Sequence, residues 1–162
     1  MTEEIFIPDF RLPSTQEHDV SPSDFKHRMN LILVFLHSAL CIPCTTLPKI
    51  LVQRYREVKA LKAEILAIVG GQKEAAVDLH AKVQLPFPLL FDPENWGTTL
   101  YLGAESRRRP TIFVADRYGA IWSHLLPDEE DGSIDVRKAI EQLEFIELQC
   151  PECGVYDQPP SL

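Results

Sequence analysis

The chain has 162 residues, a formal net charge of −8 and a mean hydropathy of −0.08. This length predicts one domain with a well-covered core. The surplus of carboxylates argues against a nucleic-acid partner, because such a surface needs clustered lysine and arginine, and the Arg107–Arg109 cluster is local. No apolar run reaches the roughly 18 residues that a membrane span requires. We therefore expect neither a nucleic-acid nor a membrane partner.

The first residues, Met1–Glu4, lack the basic and then apolar layout of a secretory signal, which predicts a cytoplasmic protein. Four cysteines are arranged as two C-x-x-C pairs. In a reducing compartment such pairs favour redox or metal chemistry over structural disulfides.

In the first third of the chain, short apolar pieces at 5–7 and 10–12 predict edge strands or an extended arm. Six continuous apolar residues at 31–36 predict a strand buried on both faces. Apolar residues at helical spacing then predict a long helix from Leu47 to Leu61. Pro48 should either start this helix or bend it.

The middle of the chain predicts a β-α-β unit. Residues 64–69, followed by two glycines, are typical of a second buried strand, and residues 73–83 of a second helix. Such a unit is right-handed. A third strand is predicted at 87–91 and a short helix or turn at 95–102.

The last third predicts an antiparallel hairpin, with strands at 112–116 and 120–126, followed by a helix with apolar positions between Ile134 and Ile146. The order of elements predicts an α/β domain over residues 1–148 with a mixed central sheet, helices on both faces and an N-terminal strand extension. Residues 149–162 are a short cysteine-bearing tail.

The motif Cys41-Ile42-Pro43-Cys44 lies between the first buried strand and the first long helix. Backbone N–H groups and the helix dipole favour a thiolate at such a junction, where a cysteine pKa falls from about 8.5 to about 3.5–7.5. Pro43 restricts the loop, so both sulfurs should stay close together. The alternative is that both cysteines only pack in the core.

Three motifs together resemble the thioredoxin-like superfamily, in its redoxin group of alkyl hydroperoxide reductase/thiol-specific antioxidant (peroxiredoxin-like) proteins and cytochrome-maturation thioredoxins. They are Pro8-Asp9-Phe10-Arg11-Leu12, Cys41-Ile42-Pro43-Cys44 and the segment from Arg109 to Gly119. The resemblance covers roughly residues 5–147. It implies a thioredoxin-like fold, and it assigns to Pro110 the cis proline that packs against the dithiol, with Arg109 beside the sulfur atoms as a stabiliser of the thiolate.

The resemblance implies a thiol-disulfide oxidoreductase. Cys41 would attack a disulfide as a thiolate, and Cys44 would then resolve the mixed disulfide. His37, four residues before Cys41, could tune the pKa of its thiol or only end a strand. No cofactor is expected. The expected partners are protein or small-molecule thiols and disulfides, together with a reductase or thiol that donates electrons.

A thiol peroxidase that reduces hydroperoxides through Cys41 is the first alternative. Ser38 precedes Cys41 by three residues, as the Ser or Thr of the peroxiredoxin pattern does, whereas Val34 stands where that pattern has proline. Two adjacent thiols and Pro110 favour disulfide exchange.

The second pair, Cys150-Pro151-Glu152-Cys153, has three interpretations. It could relay electrons to the first pair, hold a metal, or be a reduced tail without a role. Zinc needs two more ligands, which His18, His80 or His124 would supply, or a symmetric partner in a homodimer. A second alternative function follows: a non-catalytic scaffold that senses or binds a metal through this pair.

Overall fold

The structure, a computed structural model, describes residues 5–36, 38, 42–92 and 110–149. Its elements are, in chain order, β1 (Ile5–Phe6), β2 (Leu12–Pro13), β3 (Asp19–Val20), a 3-10 helix (Pro22–Phe25), β4 (Asn30–Leu36), α1 (Ile42–Gln53), α2 (Tyr55–Ala60), β5 (Ala63–Gly70), α3 (Lys73–Val83), β6 (Leu89–Asp92), β7 (Thr111–Ala115), β8 (Ala120–Leu125) and α4 (Val136–Leu148). Within these ranges, no helix is both long and apolar enough to cross a membrane.

Six strands form one sheet in the order β1-β8-β7-β4-β5-β6. The pairs β4–β5 and β5–β6 are parallel, whereas β4–β7, β7–β8 and β1–β8 are antiparallel. The prediction of a mixed α/β sheet with helices is therefore confirmed. Strands β2 and β3 form a separate two-stranded sheet.

Strand β4 lies at the centre of the sheet and all seven of its residues are buried. It pairs with β5 on one side and with β7 on the other. A strand covered on both faces has no solvent-facing residues, so a continuous apolar sequence is expected rather than alternation. The prediction made from residues 31–36 is confirmed.

The described helices α1 to α4 all pack on one face of the sheet, so the prediction of helices on both faces is wrong for these four. Strands β4, β5 and β6 lie side by side in chain order, so two right-handed crossovers place their connecting helices on the same side. The other face carries Leu33, Phe35 and Phe113, which pack against residues of the N-terminal segment such as Phe10. Residues 95–102, for which a helix or turn was predicted, lie outside the described residues.

The first predicted helix starts earlier than the pattern indicated and is divided in two. Helix α1 begins at Ile42, so Pro48 lies inside it and does not start it. Proline has no N–H, so Pro48 cannot donate to the carbonyl of Cys44 four residues earlier. The helix is interrupted at Arg54, whose N–H is shared between the carbonyls of Ile50 and Leu51 at 3.2 Å each. Apolar spacing continues across this break and therefore did not indicate it.

The later elements follow the predictions closely. Strand β5 and helix α3 lie where expected, and β6 starts at Leu89, inside the predicted strand. The hairpin of β7 and β8 turns at Gly119, which has a φ of +90° that other residues rarely adopt. Asp116 stabilises the turn, because its side chain accepts hydrogen bonds from Tyr118 N, Ala120 N and Trp122 Nε1.

The N-terminal segment covers both margins of the sheet. Strand β1 pairs with β8 at one margin. At the other margin, Ser14 forms an antiparallel bridge with Leu90 of β6, and the N–H of Thr15 donates to the carbonyl of Leu89 at 3.0 Å. The predicted N-terminal strand extension is therefore confirmed.

A polar cluster fixes the end of α4 beside the start of β4. The Nδ2 of Asn30, the first residue of β4, donates to Glu147 Oε2 at 2.7 Å. Arg117 forms an ion pair with the same carboxylate oxygen at 2.6 Å. Helix α4 therefore ends at the amino end of β4, the end of the sheet that is opposite to the start of α1.

Replacing Leu51 by Ala tests the packing of α1 on the sheet. Leu51 is fully buried, so Leu51→Ala should lower the free energy of unfolding by about 2–5 kcal/mol. The same substitution at Leu148, which is 79% exposed, should change it by no more than about 0.5 kcal/mol. Urea unfolding followed by circular dichroism measures both values. Equal losses in the two variants would contradict the described burial of α1.

Candidate active site

Pairing of β4 with β7 brings two distant sequence motifs together. The two strands are antiparallel, and Phe35 pairs with Thr111. The start of β7 therefore lies beside the carboxyl end of β4, where the chain continues towards α1. Pro110, which precedes Thr111, is buried at this position.

Cys44 lies in the first turn of α1 and is completely buried. It belongs to an apolar cluster that includes Leu36 and Leu47. Ile42, two residues earlier, is 78% exposed. The first turn of α1 therefore passes from solvent into the core, and Cys41 is the residue that immediately precedes its exposed end in the sequence.

A groove of about 110 Å³ lies between the first half of α1 and the segment that precedes α4. Pro110 forms part of its wall. The described residues that line it are Ile42, Thr46, Leu47, Ile50, Pro110, Asp131, Gly132, Ser133 and Ile134. We name it the α1 groove. Of these residues, sequence reasoning identified only Ile42 and Pro110 as parts of a site.

A signal for the remaining wall did exist in the sequence. Since β8 runs antiparallel to β7, its carboxyl end must lie near the start of β7, and so must the chain that follows it. Because Pro110 precedes β7 and residues 128–134 follow β8, the hairpin places them close together.

The wall formed by residues 128–134 is held by its own hydrogen bonds. The N–H of Asp128 donates to the carbonyl of Ser133 at 2.7 Å, and the N–H of Gly132 donates to the carbonyl of Asp128 at 2.9 Å. Asp131 Oδ1 accepts from both the N–H and the hydroxyl of Ser133. These hydrogen bonds, the backbone one foremost, lower the pKa of Asp131, so its carboxylate is ionised at neutral pH.

Next to Pro110, the buried hydroxyl of Thr111 connects β7 to β8. It donates to the carbonyl of Leu125 at 2.9 Å, so it must accept from His124 Nε2, which lies 3.0 Å away. In neutral His124 the proton is therefore on Nε2. The imidazole also stacks on Phe113, with ring centroids 4.1 Å apart. Sequence reasoning considered His124 only as a zinc ligand.

The residues proposed from the sequence divide into two groups. Cys44 and Pro110 lie at the α1 groove or directly beneath it, Ser38 is half-buried between β4 and α1, and the backbone of Pro43 is part of α1. The remaining residues lie outside the described ones: His37, Cys41, Arg109, Cys150 and Cys153. The peptide bond between Arg109 and Pro110 involves one of these, so its cis geometry stays a prediction.

The described residues contain no group of three or more His, Cys, Asp or Glu side chains that could hold a metal ion. His80 Nδ1 lies 2.7 Å from Thr15 Oγ1, and His124 contacts Thr111. Helix α4, after which the second cysteine pair follows, ends at the opposite end of the sheet from Cys44. Strand β4, between these two ends, is about 20 Å long for its seven residues. The relay and metal interpretations of Cys150 and Cys153 stay predictions.

Comparison with solved structures places this fold among the redoxins, with thioredoxin-like architecture. A candidate thiol:disulfide interchange protein DsbE from Chlorobium tepidum has a TM-score of 0.71 at 24% identity, over 90% of this chain and 97% of that one. Peroxidoxin BcpB from Mycobacterium tuberculosis has a TM-score of 0.77 at 19% identity, over 91% and 99%. A mitochondrial 1-Cys peroxiredoxin from yeast has a TM-score of 0.75 at 15% identity, over 91% and 78%. At these identities the likeness shows the fold.

The AhpC/TSA family model matches residues 6–124, and the chain therefore belongs to the AhpC/TSA family. No curated protein matches the chain. The resemblance noted in the sequence to the redoxin and peroxiredoxin-like group is confirmed. Membership supports a thiol oxidoreductase or a thiol peroxidase.

Titration of His124 tests the environment next to Pro110. Burial lowers the pKa of His124 below its usual value of 6.5. The folded protein therefore takes up this proton less readily than the unfolded chain. The contribution of His124 to stability is complete above pH 6.5 and is lost as the pH falls from 6.5 through the lower folded pKa. We expect an NMR titration midpoint for its imidazole below 6.5, and one near 6.5 in urea.

A His124→Gln variant serves as the control, since it should remove this part of the loss of stability on acidification. A folded-state midpoint at or above 6.5 would contradict the partial desolvation of this imidazole between Phe113 and Thr111.

Proposed function

We propose that this protein is a thiol-disulfide oxidoreductase that exchanges a Cys41–Cys44 dithiol with the disulfide of a protein or small molecule. The observation that carries the proposal is the position of Cys44, fully buried in the first turn of α1, the helix that lines a groove together with Pro110. A buried sulfur is poorly accessible to an external disulfide but well placed to attack a bond formed at a neighbouring, more exposed sulfur.

The reaction proceeds in two exchange steps. The Cys41 thiolate attacks one sulfur of the substrate disulfide, forms a mixed disulfide and releases the other sulfur as a thiolate, which takes up a proton. Cys44 then loses its proton and attacks the sulfur of Cys41, which releases the second substrate thiol. The dithiol is oxidised by two electrons and the substrate disulfide is reduced to two thiols. The two-residue spacing makes the second step intramolecular, with a high effective concentration.

The start of α1 supports the role of Cys41 as the attacking sulfur. Cys41 immediately precedes the first residue of a twelve-residue helix. The unpaired N–H groups and the dipole at a helix N-terminus favour a thiolate over a thiol. Arg109, adjacent to Pro110 in the sequence, is proposed to stabilise the same charge, and His37 to tune it.

The position of Val34 favours disulfide exchange over peroxide reduction. Val34 stands where the peroxiredoxin pattern has proline, and here it is fully buried in β4, paired with Ala67 on one side and Ile112 on the other. Proline at such a position would remove a hydrogen bond from a central strand. Position 34 in this fold is therefore suited to a strand and poorly suited to the proline of the peroxide-activating motif.

Recycling requires a second redox partner. The oxidised Cys41–Cys44 disulfide must receive two electrons from a reductase or from a low-molecular-weight thiol before the next cycle. In the reverse direction, the disulfide would oxidise a substrate dithiol. We propose no cofactor, because thiols alone carry both steps.

The variant Cys44→Ser tests the exchange. Without the resolving sulfur, the mixed disulfide between Cys41 and its substrate should accumulate, whereas Cys41→Ser should form none. Incubation of the reduced variants with a model disulfide, followed by mass mapping of the modified cysteine, measures this result. Cys153→Ser is the matched control and should exchange and resolve normally. Equal trapping by Cys44→Ser and Cys153→Ser would contradict the assigned roles.

Thiol peroxidase activity is the second candidate, favoured by Ser38, which is half-buried between β4 and α1 at the position of the peroxiredoxin Ser or Thr. In that reaction the Cys41 thiolate attacks a peroxide oxygen, becomes a sulfenic acid and releases water or an alcohol. Adding hydrogen peroxide to the same reduced protein separates the two functions. Sulfenylation of Cys41 that is faster than its exchange with the model disulfide would favour the peroxidase.

A further inference from the structure

The α1 groove has one wall that is apolar and one that is acidic. Ile42, Leu47 and Ile50 of α1 form the apolar wall, and Pro110 closes it. The opposite wall includes Asp131, which is the only ionisable side chain among the described lining residues. A segment of another protein that presents a disulfide near position 41 would lie along this groove.

Asp131 ends a run of four consecutive carboxylates, Asp128-Glu129-Glu130-Asp131. All four are exposed. No lysine, arginine or histidine of the described part of the chain lies within ion-pair distance of them. Their charges therefore act on whatever enters the groove and are not neutralised by a described neighbour.

The acidic wall is also held in place. Asp128 Oδ1 accepts from the N–H groups of Glu130 and Asp131, and Asp131 Oδ1 accepts from Ser133. Carboxylates fixed beside a low-polarity wall exert a stronger local field than the same charges on a mobile, fully hydrated segment.

We infer that the α1 groove selects partners whose disulfide is flanked by apolar and cationic residues, and disfavours disulfides flanked by carboxylates. The inference rests on the proposed disulfide exchange and adds the chemistry of the partner to it. Apolar residues of the partner would contact Ile42 and Ile50, and its lysine or arginine would face Asp131. Attraction of this kind mainly raises the rate of association and weakens as salt is added.

Three synthetic peptides test the inference. All three share one apolar sequence with a central cysteine, whose sulfur is joined to 2-thiopyridine through a disulfide. They differ only in the two residues that flank this cysteine, which are both Lys, both Gln or both Glu. Cys41 forms a disulfide with the peptide sulfur and releases thiopyridone, whose absorbance reports the rate. Cys44 then displaces the peptide thiol and leaves the protein disulfide.

We expect the Lys peptide to react about tenfold faster than the Glu peptide at low salt, with the Gln peptide between them. The ratio should fall towards one near 0.5 M salt, where the Debye length is about 4 Å. This salt dependence is measured on the unmodified chain, so the test does not depend on any variant folding.

A triple variant identifies the source of the selectivity. Glu129→Gln, Glu130→Gln and Asp131→Asn together should reduce the ratio to about twofold or less. A control with the same loss of charge at exposed sites outside the groove, Asp19→Asn, Asp78→Asn and Glu144→Gln, should keep most of it.

Three failures are distinguishable. Equal rates for the three peptides, or a faster Glu peptide, would overturn the selectivity and leave the proposed exchange intact. A ratio that the control variant reduces as much as the groove variant would overturn the assignment to the acidic wall. Absence of any Cys41-dependent release from the Gln peptide would overturn the exchange activity and this inference with it.

Discussion

The arrangement of the site depends on the pairing of β4 with two neighbours of opposite direction. Because β5 is parallel to β4, the chain must return across the sheet, and α1 and α2 make that connection. Because β7 is antiparallel to β4, it starts where β4 ends. These two pairings bring Pro110 and the first turn of α1 to the same end of the sheet. Pro110 and the first turn of α1 are far apart in the sequence, so local structure alone could not bring them together.

Within the first turn of α1, an exposed residue and a buried sulfur lie only two positions apart. Ile42 faces solvent and Cys44 is enclosed by the core. Burial limits the access of external reagents to Cys44. It also explains why composition alone could not distinguish a redox dithiol from two packing cysteines, since Cys44 by itself has the burial of a core residue.

Much of the fold was predictable from local sequence, because β4, α3 and the hairpin carry clear periodicity and turn residues. The redoxin family could also be identified from three motifs. The break at Arg54 was not predictable, because the apolar spacing continues through it. The second wall of the groove and the contact between Thr111 and His124 depend on which strands lie side by side. For the site, sequence identified Cys44, Pro110 and their neighbours, but not Asp131 and its surroundings.

Coverage of both sheet margins by residues 5–15 has a consequence for assembly. Open strand edges are places where identical chains add to one another and aggregate, and short edge strands prevent this. Here a single segment protects the β8 margin through β1 and the β6 margin through Ser14. Detachment of that segment would expose both margins together and allow linear polymers, whereas loss of one edge alone would permit only pairs. The N-terminal segment therefore protects both sheet edges from aggregation and also completes the core.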